Sequence, residues 1–281
     1  MIDLHAHSNA SDGSLSPREL VDHARERGLS VIALTDHDTV DGNAEAAARA
    51  AELGMTFVPG IELDIEWKPG ECHLLGYGLE RPAAVLVDLI RRLIAGRNER
   101  NAEIAGRMRG AGIDIDLARV EALAGGGTVG RPHFAQFLVE TRVVKTRQQA
   151  FDRYLAKDRP YYVDRVGITL DEGISAIRAS GGIPVLAHPL SLYVSWGHLG
   201  GIIDSFRERG IAGLEAWHPA ARIVDCERLE ALAREKGLFA TAGSDFHGAA
   251  RPDRKLGRTA GRRDIDDRFW TEGLGPALAR R

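Results

Sequence analysis

Short apolar runs recur along the chain, and each contains a histidine, an aspartate or a glutamate. Such runs, bounded by glycine and polar residues, are typical of buried parallel strands. They alternate with amphipathic segments that carry helix-start signals, as at Ser16, Pro17 and Glu19. This alternation predicts an α/β fold in which parallel strands and right-handed crossovers form a closed or nearly closed barrel. The predicted strands are Ile2–His7, Val31–His37, Thr56–Glu62, His73–Leu79, Ile183–His188, Gly213–His218 and Leu238–His247.

The middle of the chain breaks this alternation and is predicted to be helical. We expect residues 1–81 and 165–281 to form the barrel, and residues 82–164 to form a helical insertion that covers the active-site mouth. A glycine loop is predicted at 125–127. Sequence patterns assign no role to the basic, glycine-rich segment after Arg251. The predicted helices of the insertion are Ala83–Leu93, Arg97–Gly110, Leu117–Ala124, His133–Thr141 and Gln148–Leu155.

Side chains of the metal-ligand type stand within or just after the predicted strands. His5 and His7 are two residues apart on one strand and therefore share a face, and Asp245 and His247 repeat that spacing. Imidazole and carboxylate together suit manganese, iron or zinc, and Glu62 can bridge two ions. Chemistry in such barrels lies at the C-terminal strand ends. The pattern predicts a multi-metal hydrolytic site formed by His5, His7, Asp12, His37, Glu62, His73, His188, Asp245 and His247.

Composition narrows the class of protein. The 281 residues are 44% hydrophobic and 27% charged, as in an ordinary globular domain. A net charge of −3 supplies no field that would attract long duplex nucleic acid or a membrane. The two cysteines, Cys72 and Cys226, fit a reducing compartment, and no apolar stretch reaches the ~20 residues of a membrane span. We therefore expect a cytoplasmic protein.

The ligand-type residues lie in motifs that together resemble the PHP (polymerase and histidinol phosphatase) family of metal-dependent phosphoesterases. The resemblance implies a distorted (β/α)7 barrel and three divalent metal ions. It implies that His5, His7, Glu62 and Asp245 hold the first ion, that Glu62 bridges to a second ion held by His73 and His188, and that Asp12, His37 and His247 hold the third. The motifs are Asp3-Leu4-His5-Ala6-His7-Ser8, Asp12-Gly13, Thr35-Asp36-His37-Asp38, Gly60-Ile61-Glu62, Ala187-His188-Pro189 and Gly243-Ser244-Asp245-Phe246-His247, with His73 between them.

Such a site predicts phosphoester hydrolysis. Clustered divalent ions lower the pKa of bound water, and the resulting metal-bound hydroxide can attack phosphorus at neutral pH. The residues expected to lie nearest to this hydroxide are His37, Glu62, Asp245 and His247. A serine nucleophile is not indicated, because the chain contains no G-x-S-x-G motif.

Candidate substrate-binding residues lie mostly in the predicted insertion. Arg97 and Arg100 share a helix face and could bind one phosphate, although a solvated helix face is the alternative. Arg131 and His133 lie at a helix start, which is a favourable place for an anion. His218 ends a predicted strand without an assigned metal, and packing is as plausible a role for it as substrate contact.

The arginine motifs extend the resemblance to bacterial 3′,5′-nucleoside bisphosphate phosphatases and exonucleases that digest short RNA from the 5′ end. The resemblance implies a nucleotide or short oligonucleotide substrate whose 5′-phosphate is bound by the inserted arginines while the 3′-phosphoester is cleaved. Two rivals remain: a histidinol-phosphate or other small phosphomonoester phosphatase, and a non-catalytic regulatory metal-binding barrel. Amidohydrolysis is disfavoured, because metal barrels that cleave C–N bonds usually have a lysine at a strand end, and the nearest lysine here, Lys68, lies in a predicted turn.

Overall fold

The computed structural model describes residues 1–124, 128–164 and 167–281, so the predicted glycine loop at 125–127 lies outside the described residues. The chain forms two compact units, Met1–Ile90 together with Gly167–Arg281, and Arg91–Val166. In chain order the strands are β1 (Ile2–Asp3), β2 (Val31–Leu34), β3 (Thr56–Ile65), β4 (Cys72–Tyr77), β5 (Ile183–Leu186), β6 (Gly213–Trp217) and β7 (Phe239–Ala242). The helices are α1 (Pro17–Glu26), α2 (Asn43–Glu52), α3 (Ala84–Gly110), α4 (Leu117–Leu123), α5 (Arg131–Glu140), α6 (Arg147–Ala150), α7 (Leu170–Ala179), α8 (Trp196–Arg209), α9 (Ile223–Glu235) and α10 (Gly275–Ala279).

The strands of the first unit form one seven-stranded sheet in which they are ordered as in the chain. A parallel bridge between Ala6 and Phe246 joins the segments that follow β1 and β7. The amide of Leu4 also donates to the carbonyl of Ala242 over 3.3 Å, which brings the first and last strands together. The prediction of a distorted (β/α)7 barrel is confirmed.

Strand β4 departs from the expected parallel arrangement. It pairs antiparallel with both β3 and β5, while the other neighbouring pairs are parallel. The reason is the connection between β3 and β4, which is too short to contain the helix that a parallel crossover needs. Because β4 runs in the opposite direction, its first residues lie at the edge where the parallel strands end. His73 therefore reaches the site from the start of its strand.

Helix α1 shows how local signals build the barrel wall. The side chain of Ser16 accepts from the amide of Glu19, and the Glu19 carboxylate accepts from the amide of Ser16, so the predicted helix start is confirmed. Leu20 and Val21 are completely buried in the core cluster that also contains Ile32 of β2. Burial of this face ties α1 to the sheet and keeps the loop before the helix in place.

The second unit has its own apolar core, in which Ile104, Met108, Phe134 and Phe137 are buried. The two helices predicted at Ala83–Leu93 and Arg97–Gly110 are one helix, α3, and that part of the prediction is wrong. Gly96 lies between the two predicted helices. A glycine inside a helix costs only about 1 kcal/mol, which the helix-forming residues around it offset. None of the helices in the described residues has the length and apolarity that crossing a bilayer requires.

Candidate metal centre

Two barrel strands and the loops that follow the others bring the predicted ligands into one cluster. His5 and His7 follow β1, and their Nε2 atoms are 3.1 Å apart. The amide of Asp245 donates to the carbonyl of His5 over 2.9 Å, which fixes the loop after β7 beside that after β1. His37 is joined to Glu62 by an isolated parallel bridge. Backbone pairing between distant segments therefore positions these side chains.

Glu62 lies at the centre of the cluster and is divided between two groups of histidines. Its Oε1 atom is 2.8 Å from Nδ1 of His73 and 3.0 Å from Nε2 of His188. Its Oε2 atom is 3.3 Å from Nε2 of both His5 and His7. A carboxylate whose two oxygens face different nitrogen groups has the geometry of a ligand that bridges two cations.

A second carboxylate, Asp12, faces a group of imidazoles on the other side of His7. Its Oδ1 atom is 3.2 Å from Nε2 of His247 and 3.8 Å from Nδ1 of His7. Within the described residues, Nδ1 of His7, Nδ1 of His37 and Nε2 of His247 are buried and form no hydrogen bond. Buried nitrogen lone pairs that converge on carboxylates are a donor set that suits a divalent transition metal.

In the part of the chain that the structure describes, three sets of side chains have ligand atoms within 4.8 Å of one another. His188 adjoins the set around Glu62 through the contact described above, so all nine predicted ligands lie in one continuous cluster. The residues present therefore fit divalent metal ions. The three sets are His7 with Asp12, His37 and His247; His5 with His7 and Asp245; and His37 with Glu62 and His73.

Charges within the cluster agree with metal ligation. Burial, together with the neighbouring His247, lowers the pKa of His7 to about 3, so this imidazole is neutral at pH 7, as a metal ligand must be. Burial opposes ionisation of Glu62, yet His37 and His5 hold the pKa of this carboxyl well below its usual range. The site thus combines a neutral imidazole with an ionised carboxylate.

A carboxylate behind the cluster, Glu215 of β6, supports two of the predicted ligands and was not predicted. It lies 2.9 Å from Nδ1 of His5, and it accepts the backbone amide of His188 over 2.8 Å. A histidine held in this way at Nδ1 presents Nε2 to a metal. The available signal was an acidic residue in the middle of a buried apolar strand, where an ionisable side chain is rarely found without a partner.

Asp36 similarly supports the loop that carries Asp12. Its carboxylate accepts the amide of Ser8 over 2.8 Å, the hydroxyl of Ser8 over 2.6 Å and the hydroxyl of Ser11 over 2.5 Å. Burial raises the pKa of Asp36 to about 6, although the hydrogen bonds from Ser11 and Ser8 oppose the shift. Asp36, which directly precedes His37, therefore holds the loop around Asp12 in place.

A cavity of about 430 Å³ opens beside the cluster within the barrel unit. His218, the predicted substrate residue at the end of β6, lines it together with several of the predicted ligands. Arg251 and Arg254 also line it, and Nη1 of Arg251 lies 3.1 Å from Oδ2 of Asp245. Sequence patterns assigned no role to Arg251 or Arg254, because spacing along a loop does not show where its side chains point.

Several contacts of the predicted substrate residues of the second unit lie within that unit. Arg100 is buried and donates to the side chain of Asn101, and the backbone amide of Gly130 donates to Nδ1 of His133. The guanidinium carbon of Arg131 lies 5.0 Å from the ring centroid of Tyr162. Arg97 lies one turn before Arg100 on α3, as the spacing predicts. Substrate binding by Arg97, Arg100, Arg131 and His133 stays a prediction.

The chain is similar in sequence to known proteins over most of its length. A family model described as the PHP domain matches residues 3–118. The chain is 33% identical over 273 residues to the 3′,5′-nucleoside bisphosphate phosphatase of Chromobacterium violaceum, and the match covers 96% of this chain and 95% of the relative. It is 35% identical over 245 residues to the 5′-3′ exoribonuclease of Haemophilus influenzae, covering 87% of this chain and 89% of the relative.

A solved structure supports the same relationship. A Chromobacterium violaceum protein described as an amidohydrolase, with sulfate bound and no metal, superposes with a TM-score of 0.86 at 30% identity. That superposition covers 99% of this chain and 96% of the other. The similarity therefore holds for the helical unit as well as the barrel, in sequence and in fold.

Proposed function

Since the chain belongs to the PHP family, it is a metal-dependent phosphoesterase, and we propose that it hydrolyses the 3′-phosphoester of 5′-phosphorylated nucleotides. The proposed substrates are 3′,5′-nucleoside bisphosphates and short RNA with a 5′-phosphate. Two relatives that match most of the chain are named for these two activities. Both activities break the bond between phosphorus and a 3′-oxygen, so a single site can perform them.

The observation that carries the proposal is the division of Glu62 between two histidine groups. We infer a site for three divalent ions, of manganese, iron or zinc. Ions bound there would lower the pKa of water and neutralise charge on phosphoryl oxygens. The proposed ligands are His5, His7, Glu62 and Asp245 for the first ion, Glu62, His73 and His188 for the second, and Asp12, His37 and His247 for the third.

The chain's own residues would organise the reaction around these ions. Glu215 orients the ring of His5, and Asp36 holds the loop that carries Asp12. The side chains nearest to the reacting phosphorus would be His37, Glu62, Asp245 and His247. Water adds to phosphorus and the bond to the 3′-oxygen breaks, which leaves a 3′-hydroxyl on the nucleoside.

The 5′-phosphate would be recognised by basic side chains. We propose Arg97, Arg100, Arg131 and His133 for this role, because a guanidinium can donate two parallel hydrogen bonds to one phosphate. His218 is proposed to contact the substrate within the barrel cavity. The sulfate bound by the Chromobacterium violaceum protein supports recognition of a tetrahedral anion in this fold.

A substrate panel tests the function. The protein is stripped with a chelator, reloaded separately with manganese, iron or zinc, and assayed with 3′,5′-bisphosphoadenosine, a 5′-phosphorylated dinucleotide, AMP and histidinol phosphate. We expect release of phosphate from the bisphosphate and of mononucleotide from the dinucleotide, with little reaction of AMP. A clear preference for histidinol phosphate would favour the small-substrate phosphatase instead.

Absence of any turnover would favour the regulatory barrel, provided that the metals are bound. Metal content is therefore measured in the same samples. Asp245→Asn provides the companion variant, because it should lose turnover as well as metal. If the metal-loaded protein hydrolyses none of the four compounds, and the variant differs only in metal content, the catalytic proposal fails.

A further inference from the structure

We propose that Arg251 and Arg254, together with His218, form a phosphoryl-binding site on the face of Asp245 opposite the metal cluster, and that this site favours a terminal phosphate over an internal phosphodiester. The inference rests on the proposed function, because it assigns a role within the same reaction. None of these residues belongs to the proposed metal-ligand set. All of the contacts that support it lie within the barrel unit.

The two oxygens of Asp245 face different surroundings. Its Oδ1 atom faces the cluster, 3.4 Å from Nε2 of His7 and 3.5 Å from Nδ1 of His247. Its Oδ2 atom lies 3.2 Å from Nε2 of His218 and 3.1 Å from Nη1 of Arg251. One oxygen is therefore available to a metal, while the other holds a group of hydrogen-bond donors.

Arg254 completes that group of donors. Its Nη1 atom lies 3.4 Å from Nε2 of His218 and 4.0 Å from Oδ2 of Asp245. The backbone amide of Ala220 donates to Nδ1 of His218, so Nδ1 is unprotonated and Nε2 carries the ring proton. Two guanidinium groups and one imidazole N–H thus converge on one carboxylate oxygen.

The number of donors exceeds what Asp245 can accept. Each guanidinium has five N–H donors in a planar fork, and a single carboxylate oxygen has two lone pairs. The side chain of Arg254 is only 12% exposed, and within the described residues its Nε is buried without a hydrogen bond, 3.4 Å from the Asp253 carboxylate. The same cavity is lined by Glu62 and His188 of the cluster. Arg251 and Arg254 line it too, so their N–H groups that Asp245 does not accept are the donors proposed for a phosphoryl group there.

Charge explains the preference for a terminal phosphate. A phosphate monoester carries nearly two negative charges at pH 7, whereas each internal phosphate of a nucleic acid carries one. Two guanidiniums beside the cluster therefore stabilise the monoester more than the diester. Both substrates undergo the same step, in which water adds to phosphorus and the bond to the 3′-oxygen breaks. The released group is orthophosphate from the monoester and a 5′-phosphorylated remainder from the diester.

The test compares the two substrates in arginine variants. Arg254→Gln, Arg251→Gln and the double variant are assayed with 3′,5′-bisphosphoadenosine and with a 5′-phosphorylated dinucleotide. We expect Arg254→Gln to lower kcat/KM for the bisphosphate about a hundredfold, as loss of a charge-assisted hydrogen bond in a preorganised site does. The loss for the dinucleotide should be no more than about tenfold, and Arg254→Lys should restore part of the activity.

The control variant is Arg262→Gln, because Arg262 is on the same segment but is not among the described residues that line the cavity. It should match the wild type with both substrates. Equal losses with both substrates in the Arg254 and Arg251 variants would overturn the inference, and so would a loss of bound metal that accounts for the loss of activity. Metal content is therefore measured for each variant.

Equilibrium binding separates this inference from the proposed function. Calorimetric titration of the metal-loaded protein with orthophosphate should show at least tenfold weaker binding in the double variant than in the wild type. Unchanged orthophosphate affinity would contradict the inference. If the wild type hydrolyses neither nucleotide, the proposed function fails, and the orthophosphate titration still decides whether Arg251 and Arg254 bind a phosphoryl group.

Discussion

The barrel unit and the helical unit hold their ionisable groups in different ways. Glu62 is 1% exposed and faces histidines that come from several strands far apart in the sequence. Arg100 instead bonds to the next residue, and His133 bonds to the backbone three residues before it. The barrel groups depend on one another for position and charge, whereas these contacts of Arg100 and His133 join residues that are close together in the chain. Substitutions of the clustered barrel residues and of the carboxylates that support them should therefore affect metal binding, and substitutions of the predicted substrate residues in the helical unit should affect the substrate alone.

Glu62→Gln should have the largest effect, because an amide cannot supply two anionic oxygens to two histidine groups. We expect loss of at least one ion per chain and a fall in kcat of at least about a thousandfold, since metal ions supply several kcal/mol of transition-state stabilisation. Elemental analysis and steady-state kinetics measure both quantities. Glu66→Gln, just beyond the end of the same strand and exposed, is the matched control. Retention of metal and activity in Glu62→Gln would contradict the proposal that Glu62 bridges two ions.

Glu215→Gln should have a smaller effect. Glutamine can still accept from Nδ1 of His5, but its NH₂ group then faces the backbone amide of His188, which is also a donor. Substitutions of such supporting residues typically weaken metal affinity about 10- to 100-fold. Competition with a chelator measures the change, with the exposed Glu208→Gln as control. Unaltered affinity would show that Glu215 acts only in packing.

Arg131→Ala tests the helical unit. We expect KM for the bisphosphate to rise about tenfold, because a hydrogen bond to a charged group is lost, while metal content and kcat stay near the wild-type values. Exposed Lys145→Ala in the same unit should leave KM unchanged. If Arg131→Ala loses metal, or if its kinetics are unchanged, the contrast between the two units does not hold for this residue.

Asp36→Asn should have the smallest effect, and it should depend on pH. Burial raises the pKa of Asp36 from 3.8 to about 6, so its contribution to stability is fully present below about pH 4 and is lost as the pH rises through 6. Relative to the non-titrating asparagine variant, the metal-free wild type should lose about 1 kcal/mol of unfolding free energy between pH 5 and pH 8. Urea titrations in chelator give this difference, and a difference independent of pH would contradict the raised pKa.

The sequence predicted which histidines and carboxylates lie together in the barrel better than it predicted the residues around them. The spacing of His5 and His7 indicates a shared face because side chains alternate along a strand, and the structure places the two Nε2 atoms together. Glu215 was missed, since nothing local shows that its carboxylate meets His5 and His188. Arg251 and Arg254 were missed because they lie in an irregular loop, where periodicity gives no direction to a side chain.

By itself the sequence determined the barrel class and the helix start at Ser16, because apolar periodicity and capping act over a few residues. Only the tertiary structure decided that β4 runs antiparallel and that the oxygens of Asp245 divide between histidines and arginines. These features arise from strand pairing and from contacts between segments far apart in the chain. Such contacts exist only once the barrel has closed, so local patterns along the chain do not record them.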